Sequence, residues 1–206
     1  MMLLIVSSGR TLRTGCYQLV MLTSISKATT CLLATLIWCN FIPPSCSFLM
    51  WRIIHNRMPT DDNLRSRGCV LVSVCALCLH AYETTRHLFF DCQFARSIWV
   101  WLEGKLRCKF DFSSPVDMLL RCLSAVRLLL RDIALADILH TIHTIWMARN
   151  GIKLNNANIS LHPTLIKINT AILLTAGLSN NSCWPDSIAL QVMRDLQVFP
   201  KHRPPP

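Results

Sequence analysis

Four residues in the middle of the chain have side chains and a spacing that could bind a metal. They follow the pattern C-x2-C-x8-H-x4-C and are Cys75, Cys78, His87 and Cys92. Zinc takes thiolate sulfur and imidazole nitrogen, and two cysteines separated by two residues can donate both sulfurs from one short loop. Four protein ligands leave no place for water or substrate. The pattern therefore predicts a structural zinc site, which holds a shape and performs no chemistry.

The same stretch leaves two alternatives to this ligand set. C-x-x-C is also a redox motif, but thioredoxin-like use needs a strand before it and a helix starting at it, whereas the polar stretch 80–86 follows here. His80 is a competing ligand. Because only one residue separates it from Cys78, its chelate would be strained, and His87 is preferred. We expect His80 to be a surface histidine.

The chain is basic and rich in apolar residues. Its 206 residues include 21 Lys and Arg against 11 Asp and Glu, a formal net charge of +10 that favours polyanions such as nucleic acid or anionic lipid head groups. Hydrophobic residues make up 52% of the chain, an excess that could dock on a protein partner. The candidate phosphate contacts around the metal pattern are Arg52, Arg57, Arg65, Arg67, Arg86 and Arg96.

The cysteine content indicates a reducing compartment. Eleven cysteines are an odd number without regular spacing outside the metal pattern, which argues against a secreted disulfide framework. The apolar start, 1–6, is too short for a signal peptide and has no basic residues before it. The segment 31–50 has the length of a membrane span, but Asn40, Pro43 and Pro44 interrupt it. We expect an intracellular protein, nuclear or cytoplasmic, that is neither secreted nor bound to a membrane.

Two helices are predicted upstream of the metal pattern. The apolar stretch 29–38 is typical of a buried helix, and Pro43 and Pro44 end it. The next candidate is 47–57, a half-buried helix. Its apolar face is predicted from four residues at helical spacing, Phe48, Trp51, Ile54 and His55.

A short helix and an extended segment lead into the first ligand. Thr60 is a good N-cap and Gly68 suits the position after a helix end, so a helix is expected from about 61 to 67. The apolar run 70–74 is expected to be extended and to deliver the chain to Cys75.

The fourth ligand is predicted to begin a helix that ends near Gly104. Phe94, Ile98, Trp101 and Leu102 recur at helical spacing after Cys92. A thiolate at the N-terminus of a helix is stabilised by the helix dipole. Phe94, Trp99 and Trp101 could stack on nucleobases. Their place in a helical pattern favours packing beside the zinc instead.

The C-terminal half is predicted to be helical. The segment 105–115 is a linker, and 116–149 forms one long or two abutting helices with Arg121, Arg127 and Arg131 on a solvated face. Asn150, Gly151 and the run 155–158 are predicted to form a loop. The remaining expectations are helices over 165–178 and 187–198 and a disordered tail over 199–206.

No catalytic pattern is complete in this chain. Asp61 and Asp62 are not a polymerase pair, because that pair needs an aromatic residue at position 59, where proline stands. Charge at a helix N-terminus explains them. Asp137, His140 and His143 follow one another at intervals of one turn along one helix. Their side chains diverge too far to bind one metal ion, so packing or surface roles are expected. Serine-hydrolase, P-loop and zinc-protease motifs are absent. We expect no enzymatic activity.

Short motifs surround the metal pattern, namely Pro43-Pro44, Phe48-Leu49-Met50-Trp51-Arg52, Asn56-Arg57-Met58-Pro59-Thr60, Leu64, Arg67-Gly68, Glu83-Thr84, His87-Leu88-Phe89-Phe90 and Trp99. Together with the four candidate ligands they resemble the zinc-binding domain of plant non-LTR retrotransposon reverse transcriptases. The resemblance covers roughly 8–102. Further on, Trp146-x-Ala148-Arg149-Asn150 resembles the connector that follows this domain in those polyproteins.

The resemblance implies a domain that lies C-terminal to a polymerase and helps to grip RNA or target DNA. Only the four ligands carry over by motif. We therefore expect a mainly α chain: a zinc-binding domain of the reverse-transcriptase type over 8–104, in which flanking helices hold a small CCHC zinc-stapled knuckle, and a helical connector region over 116–198. Zinc is the expected cofactor and nucleic acid the expected partner. The alternative is a remnant that docks on proteins through exposed apolar surface.

Overall fold

The computed structural model describes residues 27–124, 128–176, 191, 194 and 195. Within these ranges the fold is mainly helical, as predicted, and contains no β-strand. The elements are α1 (Lys27–Ile37), α2 (Pro44–Ile54), α3 (Asp61–Ser66), a π-turn (His87–Asp91), α4 (Gln93–Leu106), α5 (Pro115–Ser124), α6 (Leu128–Asn155) and α7 (Leu161–Ala176). Most of the predicted helix 187–198 and all of the tail 199–206 lie outside the described residues.

Helix α2 begins earlier and buries a different face than predicted. Pro44 occupies its first turn, where a missing N–H costs nothing. The side chains that it buries are Cys46, Ser47, Leu49, Met50 and Ile53, while Phe48 is 54% exposed. The predicted face was wrong because apolar residues lie on both sides of this helix, so periodicity alone does not choose between them.

Helix α3 has the predicted ends. Thr60 precedes it in an extended conformation, and Gly68 follows it at φ +90°. Such a positive φ favours glycine after a helix end. The Thr60 hydroxyl makes no hydrogen bond to the helix N-terminus and donates to Asp62 Oδ1 at 2.5 Å instead.

The segment predicted to form one long or two abutting helices contains α5 and α6 on either side of residues 125–127, which lie outside the described ranges. The predicted loop at Asn150 and Gly151 was wrong. Both residues belong to α6, which continues to Asn155 and is followed by Asn156 at φ 50°. Local preference for a turn is overridden here by tertiary contacts that α6 makes with the metal region.

Helix α6 lies at the centre of the fold. It packs against α2, α4, α7 and the π-turn, and it buries Ile138, Leu139, Ile142 and Ile145. The segment 105–115 also contributes to packing, because the rings of Phe110 and Phe112 lie 5.5 Å and 5.4 Å from that of Trp99. The C-terminal helices therefore pack on the metal region. The domain boundaries at 104 and 116 stay predictions.

None of the helices in the described ranges is both long and apolar enough to span a membrane. The stretch 31–50 is divided as expected, because α1 ends at Ile37 and α2 starts only at Pro44.

Two titratable residues of α6 are buried in the core. His140 is 6% exposed and lies 2.6 Å from Thr175 Oγ1 on α7 and 3.6 Å from Cys46 Sγ on α2. Burial and the neighbouring His143 lower the pKa of His140 to about 4. Asp137 is fully buried, and neither of its carboxyl oxygens has a hydrogen-bond partner within the described part of the chain. The structure places both residues in the core, where the sequence had left packing and surface roles open.

The Asp137 carboxyl should make stability depend on pH. Burial raises the pKa of Asp137 well above its ordinary value. The folded protein keeps a proton that the unfolded chain loses above about pH 4, so this contribution to stability is lost as pH rises through the folded pKa. Urea unfolding at pH values from about 5 to about 8 would measure the free energy of unfolding. The value for Asp137→Asn should rise relative to that of wild type as the pH increases. Parallel curves for the two proteins would contradict this assignment.

Candidate metal centre

The structure brings the four predicted ligands together. The ligand atoms of Cys75, Cys78, His87 and Cys92 all lie within 4.8 Å of one another. Cys75 and Cys92 are fully buried, and the other two side chains are half-buried. No other group of three or more histidine, cysteine or acidic ligands converges in this way within the described ranges.

Two of the donor pairs have nearly the spacing of a tetrahedral zinc site. Zinc binds sulfur at about 2.3 Å and nitrogen at about 2.0 to 2.1 Å, so a tetrahedron separates two sulfurs by about 3.8 Å and a sulfur from a nitrogen by about 3.6 Å. Cys75 Sγ lies 3.8 Å from Cys92 Sγ, and Cys78 Sγ lies 3.3 Å from His87 Nε2. Three thiols and one imidazole at these separations fit a zinc ion.

The first two ligands are presented by a tight backbone turn. The Leu79 N–H donates to the Cys75 carbonyl at 2.8 Å, and the Cys75 N–H donates to the Ala81 carbonyl at 2.8 Å. These bonds fold the chain back on itself after Cys78. Leu79 has φ 59°, a left-handed conformation that is uncommon for residues other than glycine.

The other two ligands are presented by the π-turn. In an α-helix, side chains five residues apart point about 140° away from each other. In this protein the Cys92 N–H donates to the His87 carbonyl at 2.7 Å, an i to i+5 bond. The wider turn brings His87 and Cys92 to the same side. Cys92 is then the N-cap residue of α4, as predicted.

Cys75 and Cys92 are in contact, and the contact shifts their pKa values in opposite directions. The Cys75 thiol donates to Cys92 Sγ. This hydrogen bond, together with burial, raises the pKa of Cys75, while the same hydrogen bond lowers the pKa of Cys92. Elsewhere burial raises the pKa of Cys39, Cys46 and Cys108 to about 11, so these cysteines are protonated thiols at neutral pH. Of these five cysteines, Cys92 is the one whose pKa is lowered.

A buried charge network, made of Asp61, Glu83, Arg149 and Lys153, ties the metal loop to α6. Arg149 Nη2 lies 2.5 Å from Glu83 Oε1 and 3.5 Å from Asp61 Oδ1. Lys153 Nζ lies 2.6 Å from Asp61 Oδ1 and 3.2 Å from Glu83 Oε2. Both carboxylates are buried. Burial acts to raise the pKa of Asp61, but Lys153 and Arg149 outweigh it, and the pKa is lowered.

Sequence reasoning missed this network. Asp61 was explained by the helix dipole alone, whereas its buried carboxylate contacts two cations on α6. Two signals were available. The spacing of Arg149 and Lys153 places both cations on one helix face. The motifs Glu83-Thr84 and Arg149-Asn150 supply charges of opposite sign in the two parts of the chain.

The six candidate arginines fall into three pairs. Arg52 donates to the Arg57 carbonyl at 3.0 Å and 3.2 Å, which links the first pair. Arg65 and Arg67 lie at the end of α3, both exposed. Arg86 and Arg96 share one acid, Asp91, at 3.1 Å and 3.6 Å. Within the described ranges Arg52, Arg57, Arg65 and Arg67 form no ion pair, and the last three of these are exposed.

The aromatic residues near the centre pack as the sequence predicts. Trp99 is 1% exposed, and its indole N–H donates to the Phe89 carbonyl at 2.7 Å. Phe94 and Trp101 are half-buried against the same core. His80 is exposed and contacts the Cys78 carbonyl, which confirms it as a surface histidine.

The chain matches one known family over the region that contains this centre. Residues 16–99 match the family described as zinc-binding in reverse transcriptase. No curated protein and no solved structure matches the chain. The four candidate ligands lie inside the matched segment and converge in the structure. Residues 16–99 are therefore similar to the zinc-binding domains of reverse transcriptases, and the four residues that could hold the metal lie together within them.

Proposed function

We propose that the protein is a non-catalytic zinc protein derived from a plant non-LTR retrotransposon polyprotein, with Cys75, Cys78, His87 and Cys92 as ligands of one structural zinc. The observation that carries this proposal is the convergence of these four donors, whose ligand atoms all lie within 4.8 Å of one another. Zinc would hold the loop between residues 75 and 92. Helix α4 starts at the end of this loop, and Arg149 and Lys153 of α6 form ion pairs with Glu83 within it. Because its thiolates need reducing conditions, we place the protein in the nucleus or cytoplasm.

We propose nucleic acid, RNA or DNA, as the partner of this domain. The net charge of +10 favours a polyanion. Arg57, Arg65 and Arg67 are exposed, and their charges are available to phosphates. Arg52, Arg86 and Arg96 complete the surface, although the last two are partly neutralised by Asp91. Binding of this kind releases counterions and weakens steeply as salt increases.

The double variant Arg57→Ala/Arg67→Ala should weaken nucleic-acid binding and reduce its salt dependence. Each lost phosphate contact lowers the slope of log affinity against log salt by about 1, so the slope should fall by about 2. The measurement is a salt titration of the zinc-loaded chain with a fluorescent oligonucleotide. Lys167→Ala, which removes an exposed cation from α7, is the control. Equal slopes for the three proteins would contradict the role of these arginines.

A second candidate function is docking on a protein partner. Val70 is 104% exposed and Val72 is 91% exposed, on a segment next to the metal loop that is neither helix nor strand. Exposed apolar side chains of this kind suit a protein interface. The same salt titration separates the two functions, because apolar docking depends little on salt whereas phosphate contacts depend on it strongly.

A further inference from the structure

The tip of the metal loop exposes two large side chains to solvent. We use the name loop crest for Leu79, His80 and Tyr82, which lie between the second ligand and Glu83. Leu79 is 72% exposed and Tyr82 is 71% exposed, and His80 is exposed between them. The crest therefore presents an aromatic ring and an apolar side chain within four residues of one another. Sequence reasoning had considered Phe94, Trp99 and Trp101 for stacking, yet the structure packs those rings into or against the core.

The crest is held in place by backbone geometry. The left-handed Leu79, at φ 59°, is fixed by its hydrogen bond to the Cys75 carbonyl. A non-glycine residue in this conformation is strained and persists where the surrounding structure enforces it. Glycine would adopt the same backbone without strain. A leucine at this position places an apolar side chain in solvent, three residues before Tyr82 in the sequence.

Arg65 orients the tyrosine ring. Its guanidinium carbon lies 6.0 Å from the centre of the Tyr82 ring. Nε and Nη2 of the same group donate to the Leu71 carbonyl at 3.1 Å and 2.9 Å, which holds the guanidinium in one plane. The ring is thus supported by a fixed cation while most of its surface stays accessible.

The charges around the crest suit a polyanionic partner. Arg65 and Arg67 are both exposed at the end of α3, and Arg65 lies against the Tyr82 ring. The acid nearest in sequence, Glu83, is fully buried and paired with Arg149 and Lys153. The crest therefore combines a stacking surface with positive charge and presents no carboxylate of its own.

We propose that the loop crest binds unpaired nucleobases, with one base stacking on Tyr82 and contacting Leu79 while the adjoining phosphates approach Arg65 and Arg67. This inference rests on the nucleic-acid binding proposed above and adds its ligand class, single-stranded nucleic acid. Stacking on an aromatic side chain is tolerant of sequence, because every base has a π-face. In a duplex the bases already stack on one another, so single strands should bind more tightly.

The test uses the zinc-loaded full chain and three labelled probes: an oligouridylate, the matching oligothymidylate, and the oligouridylate annealed to its complement. Wild type should prefer both single strands to the duplex. Tyr82→Ala should weaken single-strand binding by about tenfold with an unchanged salt slope, and Tyr82→Phe should restore it. Val72→Ala, which shortens a similarly exposed side chain nearby, is the control and should bind as wild type does.

A second readout identifies the contact directly. An oligonucleotide that carries 5-iodouridine should form a photo-crosslink to Tyr82, which mass spectrometry of the digested complex would locate. This readout uses unaltered protein and remains decisive if Tyr82→Ala does not fold.

The outcomes distinguish this inference from the function on which it rests. Wild type and Tyr82→Ala could bind equally in a salt-dependent way, with no crosslink at Tyr82. That result would overturn base stacking at the loop crest and leave nucleic-acid binding intact. No binding to any probe would overturn both. Equal losses in Tyr82→Ala and Val72→Ala, with little salt dependence, would overturn base stacking in favour of apolar docking.

Discussion

Replacing Cys75 and Cys92 together by serine should abolish metal binding and unfold the metal loop. The two cysteines are fully buried, and serine hydroxyls are poor substitutes for thiolates at zinc. A structural zinc contributes about 10 to 16 kcal/mol of apparent binding free energy, which is also folding free energy. Whole domains are stable by only about 5 to 15 kcal/mol. The loss of the site should therefore disrupt the fold around it, including the start of α4.

Elemental mass spectrometry and thermal unfolding would check this result. Wild type purified without added metal should carry one zinc per chain, and a chelator should lower its unfolding temperature. The variant should carry none and should not respond to chelator. Cys31→Ser, at an exposed cysteine of α1 outside the site, is the matched control and should behave as wild type. A wild-type protein that is folded and contains no zinc would contradict the assignment of the metal site.

Replacing Arg149 by methionine should give the second large effect, a loss of about 3 to 5 kcal/mol in the free energy of unfolding. Arg149 is 7% exposed and pairs with Glu83, which is 0% exposed, and with Asp61. Methionine fills much of the same volume without charge. Asp61 and Glu83 would then have Lys153 as their one remaining cation. A buried charge without a partner raises the free energy of the folded state.

Denaturant unfolding of zinc-loaded protein would measure this effect. Arg96→Ala is the control, because Arg96 is exposed and its partner Asp91 keeps Arg86; a change below about 1 kcal/mol is expected. The double variant Glu83→Gln/Arg149→Met should be less destabilised than the sum of its single variants, since the two side chains interact directly. Additive losses would show that the pair does not couple the loop to α6.

The metal ligands could be predicted because their chemistry is local. All four lie within one loop, and Cys75 and Cys92 are only 17 residues apart. Over so short a loop, ligand type and spacing nearly determine which atoms can meet around one ion. The ends of α3 were predictable for a similar reason, since Thr60 and Gly68 act through the backbone conformation of their own positions.

The i to i+5 turn at His87 was not predictable from spacing. An α-helix was equally compatible with the sequence there, and the wider turn depends on how Leu88, Phe89 and Phe90 are buried beneath the loop. The burial of Trp99 and the exposure of Tyr82 depend likewise on the elements that cover each ring. Trp99 meets Phe110 and Phe112 from the segment 105–115, whereas among the described aromatic and cationic contacts Tyr82 meets only the Arg65 guanidinium, 6.0 Å from the ring centre.

The sequence by itself determined the helical class, the ligand set and the basic charge, because these follow from residue types and short spacings. Only the tertiary structure decided that the C-terminal helices pack on the metal region. Glu83 and Arg149 are 66 residues apart, and no local pattern specifies that they meet. Their contact exists because α6 buries its apolar side chains against α2, α4 and the π-turn, which places Arg149 over the carboxylates. A buried ion pair of this kind is a consequence of packing, and packing depends on the whole chain.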